Sequence, residues 1–225
     1  TAFATETAAT ECATGNLGFG SEEDRANTET ITSVEEYMAK VYGDSPMGSA
    51  SGGSDPALPS SVDNSTSPYF PKIDSQGSIG SCTTWANTYY QFTYTMNKSL
   101  GRTTTPENTF NPLWIYNKIN GGEDEGSVYS DAYKVMMYQG CVTLGEVPYV
   151  HEYLSWYPNE KAWTNSLDYR AKSYQILSLP SEDTPITSPD DPDLNLIKTA
   201  LNNGEILTFS TRFSSWNEYD NTIVK

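Results

Sequence analysis

Apolar and polar positions alternate along this chain with two periods. From Trp85 the apolar residues Trp85, Tyr89, Phe92 and Met96 recur at i, i+4, i+7 and i+11, one face of an α-helix that packs into a core and ends near Gly101. The same spacing predicts helices over Pro112–Ile119 and over Tyr129–Tyr138, the second stopping before Gly140. A short helix is expected within Ile31–Val41, with Ser33 as N-cap and Glu36 three residues on. Leu194, Ile197 and Leu201 share a further helical face. The run from Glu205 to Phe213 alternates with period two and predicts a strand. Between these elements, residues 180–194 are rich in Pro, Asp and Ser and predict an exposed loop. No internal repeat is present.

Three segments follow from this pattern. Residues 1–57 carry only Arg25 and Lys40 as basic residues among many acidic ones, and end in the linker-like Gly48-Ser-Ala-Ser-Gly-Gly-Ser54. They read either as a prosegment or tether, or as a disordered leader. Residues 58–179 hold most of the predicted helices, and residues 180–225 hold the loop and the predicted strand. The fold class expected is α+β, a mainly helical domain followed by the start of a β-rich one.

Composition narrows the partners. The chain has 225 residues, enough for one large or two modest domains, and is 36% hydrophobic, below the usual ~45–50%. Its net charge of −16 disfavours nucleic acid and anionic membranes, whose phosphates it would repel. No apolar run approaches the ~20 residues that cross a bilayer. Acidity, few Lys, abundant Ser, Thr, Asn and Tyr, and the Ala2-Phe3-Ala4 triplet near the start together suggest an extracellular, secreted protein. Sequons stand at Asn64 and Asn97. Cys12, Cys82 and Cys141 lack the short spacings of a metal site, so no metal or cofactor is expected. The odd count leaves one thiol over; Cys12 and Cys141 are expected to pair.

That remaining thiol sits in the most informative stretch, Gln76-Gly-Ser-Ile-Gly-Ser-Cys82, where a glycine-containing loop meets the start of the Trp85 helix. A lone cysteine is more often a buried structural thiol. A helix N-terminus, however, favours thiolate, the nucleophilic form, through its unsatisfied N–H groups and its dipole. Gly77 and Gly80 would let the backbone turn tightly and a substrate carbonyl come close. The Cys82 backbone N–H and the Gln76 side-chain amide could then donate to an oxyanion.

This heptad resembles the papain family, with its Gln, its six-residue spacing and its Gly-Ser-Cys ending. The resemblance implies that Cys82 is the nucleophile, that Gln76 is an oxyanion donor and that peptide bonds are cleaved through a thioester. It extends upstream to Leu58-Pro-Ser-Ser-Val-Asp63, similar to the start of a mature family domain. Downstream, Asp124-Glu-Gly-Ser127 is similar to the segment that pairs with the substrate backbone, which implies Gly126 and Ser127 as substrate contacts. Gly140 to Tyr149 resembles the stretch that closes this region, and Leu201–Phe213 the helix and first strand of the second domain. Ile79 stands where many members have a disulfide cysteine. Thr83 and Thr84 separate Cys82 from the Trp that members usually carry directly after the nucleophile.

The resembled mechanism also needs an imidazole base and an orienting Asn. The single histidine, His151, precedes the region where the family carries its base, so it is expected to be an exposed or structural histidine. The catalytic His and Asn are therefore expected in a remainder that is either a second polypeptide, an expected partner beside a peptide substrate, or a part not included in this sequence. Residues 1–225 alone are expected to be inactive and incompletely folded. Two further readings remain: a non-catalytic relative that serves as a secreted binding or adhesion module, and an unrelated acidic adhesion domain.

Overall fold

The computed structural model describes residues 20–42, 58–150, 157, 159–177, 192–210, 217–219 and 222–224. Ala2–Ala4, Cys12, the linker at 48–54 and His151 lie outside the described residues, as does most of the expected loop, whose end at Pro192 begins a helix. The architecture is α+β: among the described residues helices dominate, with two two-stranded sheets. Two compact units form, one from the described parts of 1–25, 65–173 and 208–225, the other from 26–64 and 174–207. The second unit draws residues from all three segments expected from composition.

In the first unit the helix that starts at Cys82 is α-helical over Cys82–Thr84, widens to a π-helix over Trp85–Phe92 and returns to α over Thr93–Ser99. The periodicity predicted a helix here but not its wider middle. Trp85 and Tyr89 lie against each other on these turns, tilted by 31° with ring centroids 4.3 Å apart. The wide turns also let the Thr93 hydroxyl donate to the Thr88 carbonyl five residues back, at 3.3 Å. Trp85, Tyr89 and Phe92 are buried, as their spacing required. The helix ends as a Schellman motif: Gly101 takes φ +62°, its N–H bonds to the Lys98 carbonyl, and the Arg102 N–H bonds to the Asn97 carbonyl.

Two of the predicted helices, Pro112–Ile119 and Tyr129–Tyr138, lie where the pattern placed them. Asn111 caps the first by accepting the Leu113 N–H at 2.9 Å, and Pro112 at the first position lacks the N–H that would have been unsatisfied. Leu113, Trp114, Ile115 and Tyr116 are all fully buried, so this helix is enclosed on every side. Leu113 and Ile115 each contribute roughly 1.5–3 kcal/mol through that burial. Around it the core gathers Phe92, Phe110, Ala132, Val135, Met136, Cys141 and Val142.

The second unit pairs Thr30–Ile31 in parallel with Ile176–Leu177. Ser33 caps the helix Val34–Tyr42 by accepting the Glu36 N–H at 3.1 Å, and the Glu36 carboxylate accepts the Thr32 N–H at 2.9 Å. Ile31 and Tyr37 pack on Leu196 and Ala200 of the helix Pro192–Asn202, with Leu207 against them.

The expected strand over Glu205–Phe213 is corrected: Glu205–Ser210 form no ladder, and residues 211–213 lie outside the described ones. Alternation supplies two faces, but a strand exists only through bonds to a neighbouring strand. Here the Glu205 carbonyl accepts the Asn64 side-chain amide at 3.0 Å instead. Both sequon amides are engaged, for Asn97 is fully buried and donates to Thr104 and Asn108. No helix among the described residues is long and apolar enough to cross a membrane.

Candidate active site

The loop before Cys82 is shaped by its own polar groups. Gly77 takes φ +70°, a conformation that disfavours a side chain, and turns the chain. The Gln76 side-chain amide then folds back to donate to the Ile79 carbonyl at 2.7 Å, and the Ser81 N–H donates to the same oxygen at 2.7 Å. A Gln amide nitrogen carries two protons, and the Ile79 bond engages one. Ser81 has left the helical region (φ −98°, ψ 19°), so Cys82 is the first helical residue, only 7% exposed. The N–H groups of a first turn have no acceptor within their helix and point at whatever precedes it.

Thr83 and Thr84, which separate Cys82 from Trp85, are both fully buried. The Thr83 hydroxyl donates to the Ser127 carbonyl at 3.0 Å, and the Thr84 hydroxyl to the Ser81 carbonyl at 3.0 Å. One joins the start of the helix to the segment at 126–127; the other closes its first turn.

Gly126, at φ +89°, is buried, as is Ser127. The Gly126 N–H donates to the Tyr116 hydroxyl at 3.2 Å, and that hydroxyl donates to Asp124 Oδ1 at 2.6 Å. The same carboxylate oxygen accepts the Gly80 N–H at 2.9 Å. Burial raises the Tyr116 pKa far above its ordinary value, and the bond to Asp124 raises it further, so the phenol stays protonated.

On another side, the Tyr149 hydroxyl donates to the Gln76 carbonyl at 2.8 Å and accepts the Trp85 indole N–H at 3.3 Å. Trp85 and Tyr149 meet edge to face, with centroids 5.3 Å apart. A hollow of about 60 Å³ lies beside them, lined by Asp74, Ser75, Trp85, Tyr89, Leu144 and Tyr149. It is too small for anything beyond a few waters.

The structure thus gathers the loop of Gln76, the nucleophile candidate Cys82 and the Gly126–Ser127 segment in one unit. Tyr116, Asp124 and Tyr149 carry no individual role in the sequence, because their partners lie 8 to 73 residues away.

Cys141 is a free thiol among the described residues, and Cys12, its expected partner, lies outside them. Cys141 is fully enclosed in the core, and burial drives its pKa well up; a thiol kept protonated and covered is not a nucleophile. Among the described residues no three His, Cys, Asp or Glu side chains cluster as metal ligands would.

No family model matches the chain, and no curated protein matches it by sequence. Among solved structures the chain is similar to Xylellain, a cysteine protease from Xylella fastidiosa, with a TM-score of 0.58 and 19% identity. The match covers 85% of this chain and 63% of that one, so the chain spans less than two thirds of the protease. At this identity the likeness is one of fold, and it places the chain beside a cysteine protease at that level.

Proposed function

We propose that this chain is the nucleophile-bearing part of a secreted, papain-like cysteine peptidase. The observation that carries the reading is the position of Cys82: first residue of a helix, behind a loop braced by Gln76, and joined to the Gly126–Ser127 segment through Thr83. The fold-level likeness to a cysteine protease supports it.

In this reading Cys82 Sγ attacks the carbonyl carbon of a peptide bond and its proton passes to an imidazole. The Cys82 N–H and the second Gln76 proton hold the oxyanion. The amine leaves with the imidazole's proton, and water hydrolyses the thioester to a carboxylate and restores the thiol. Gly126 and Ser127 lie along the substrate backbone. The imidazole that this chemistry needs is not among the described residues, the single histidine of the sequence being His151.

Labelling intact protein with an epoxide that alkylates peptidase thiols, followed by peptide mapping, tests the reading. The adduct is expected on Cys82. No adduct on Cys82, with label on other residues or none at all, favours the non-catalytic binding module.

A further inference from the structure

Gly80 raises a question that its backbone does not answer, since it is absent from the glycines with positive φ. Its missing side chain answers it. A Cβ at Gly80 would lie 3.2 Å from Asp124 Oδ1, 3.4 Å from the Tyr116 hydroxyl and 3.5 Å from the Gly126 nitrogen. Those three atoms form one chain of hydrogen bonds. Asp124 Oδ1 accepts both the Gly80 N–H and the Tyr116 O–H, and Tyr116 in turn accepts the Gly126 N–H. Asp124 is at the surface, while Gly80, Gly126 and Tyr116 are buried.

We propose that Asp124 is a positioning residue: its carboxylate, through Tyr116, clamps the nucleophile loop at Gly80 to the substrate-facing segment at Gly126. This inference rests on the peptidase reading for its consequence, though not for its geometry. The clamp joins the two strips of backbone that must keep register for a carbonyl to reach Cys82. It does so without a covalent bridge, at a loop where Ile79 leaves none possible. A side chain at Gly80 would press on the clamp, since the Asp124 carboxylate oxygen would have to give by a few tenths of an ångström.

Charge-assisted bonds to an acceptor are stronger than neutral ones, so losing the carboxylate should loosen both strips. Replacing Asp124 with Asn leaves an acceptor oxygen in place. Hydrogen exchange on the intact chain reads the clamp and needs no activity. In Asp124→Ala the amides of Gly80 and Gly126 should exchange about tenfold faster or more, while core amides such as those of Ile115 and Val135 keep their rates. In Tyr116→Phe the Gly126 amide should speed up and the Gly80 amide should not. Asp124→Asn should restore both amides to within about threefold of the parent, the cost of a weaker neutral acceptor.

The link to Cys82 is read by iodoacetamide. A thiol this covered reacts when its loop opens, so Asp124→Ala should alkylate Cys82 about threefold faster or more, with Cys141 unchanged. Turnover by the assembled enzyme should fall meanwhile. Unchanged exchange at Gly80, a uniform rise across the core, or an unchanged Cys82 rate would overturn the proposal. Failure of the peptidase reading would appear separately, as peptide cleavage that survives Cys82→Ala, and would leave the exchange pattern intact.

Discussion

Replacing Gly140 with Ala offers a sharp test of the core of the first unit. Gly140 ends the Tyr129–Tyr138 helix at φ +76°, and a Cβ there would lie 1.9 Å from the Ser166 carbonyl oxygen and 2.7 Å from its carbon. The backbone cannot easily step aside. The Gly140 N–H is bonded to the Val135 carbonyl at 3.0 Å, and its carbonyl accepts the buried Trp114 indole N–H at 3.1 Å. The left-handed conformation costs an L-residue about 1–2 kcal/mol, and forcing extra volume into packed backbone about 1–3 kcal/mol. The narrower unfolded ensemble of Ala offsets about 0.4–1 kcal/mol. The net loss is about 2–4 kcal/mol, a large share of the ~5–15 kcal/mol that holds a typical domain.

Gly101→Ala is the control. Its φ is +62°, yet a Cβ there meets nothing within 4 Å, so only the conformational cost applies, about 1 kcal/mol. Urea denaturation of the two variants and the parent, followed by tryptophan fluorescence, measures both losses at a common slope. Gly140→Ala should lose at least ~1 kcal/mol more than Gly101→Ala, and its melting midpoint should drop by roughly 4–16 °C at ~2–4 °C per kcal/mol. Equal losses would show that Ser166 does not press on Gly140 and that the packing described there is wrong.

Brief iodoacetamide treatment of the folded protein should label Cys82 well before Cys141, because Cys141 is fully covered and burial holds its thiol protonated; equal labelling would refute the assignment of Cys82 as the reactive thiol. Gln76→Ala should lower turnover about 10²–10³-fold through one lost oxyanion donor, with a loss of only ~1 kcal/mol in stability from the missing bond to Ile79; full turnover would remove Gln76 from the site. Lys118 should make stability rise with pH. Burial lowers its pKa to about 7; its ammonium lies 3.4 Å from the centre of the Trp114 ring and donates to the Trp114 carbonyl. The unfolded chain keeps the proton up to ~10.4, so it binds more protons than the native state between about pH 7 and 10. Denaturation across that range should show a stability gain in the parent that Lys118→Met lacks, and parallel curves would contradict it.

Local physics explains which features were legible in the sequence. The apolar face of the Cys82 helix, the helices Pro112–Ile119 and Tyr129–Tyr138, and the Ser33 cap all depend on residues within a turn or two of one another. So does the placement of Cys82 at a helix start, and of Gly101 at its end, where one residue must adopt positive φ. The strand expected from Glu205 failed because a strand is a relation between segments, and alternation at 205–213 cannot say whether a neighbour is present. The π turns from Trp85 to Phe92 depend on how that helix packs its rings and meets its surroundings, which a period alone does not encode. Gly80 marks the limit most clearly. In the sequence it reads as a turn residue, but in the fold its empty side is filled by Asp124, Tyr116 and Gly126, residues 36 to 46 positions away, and only tertiary packing could bring them there.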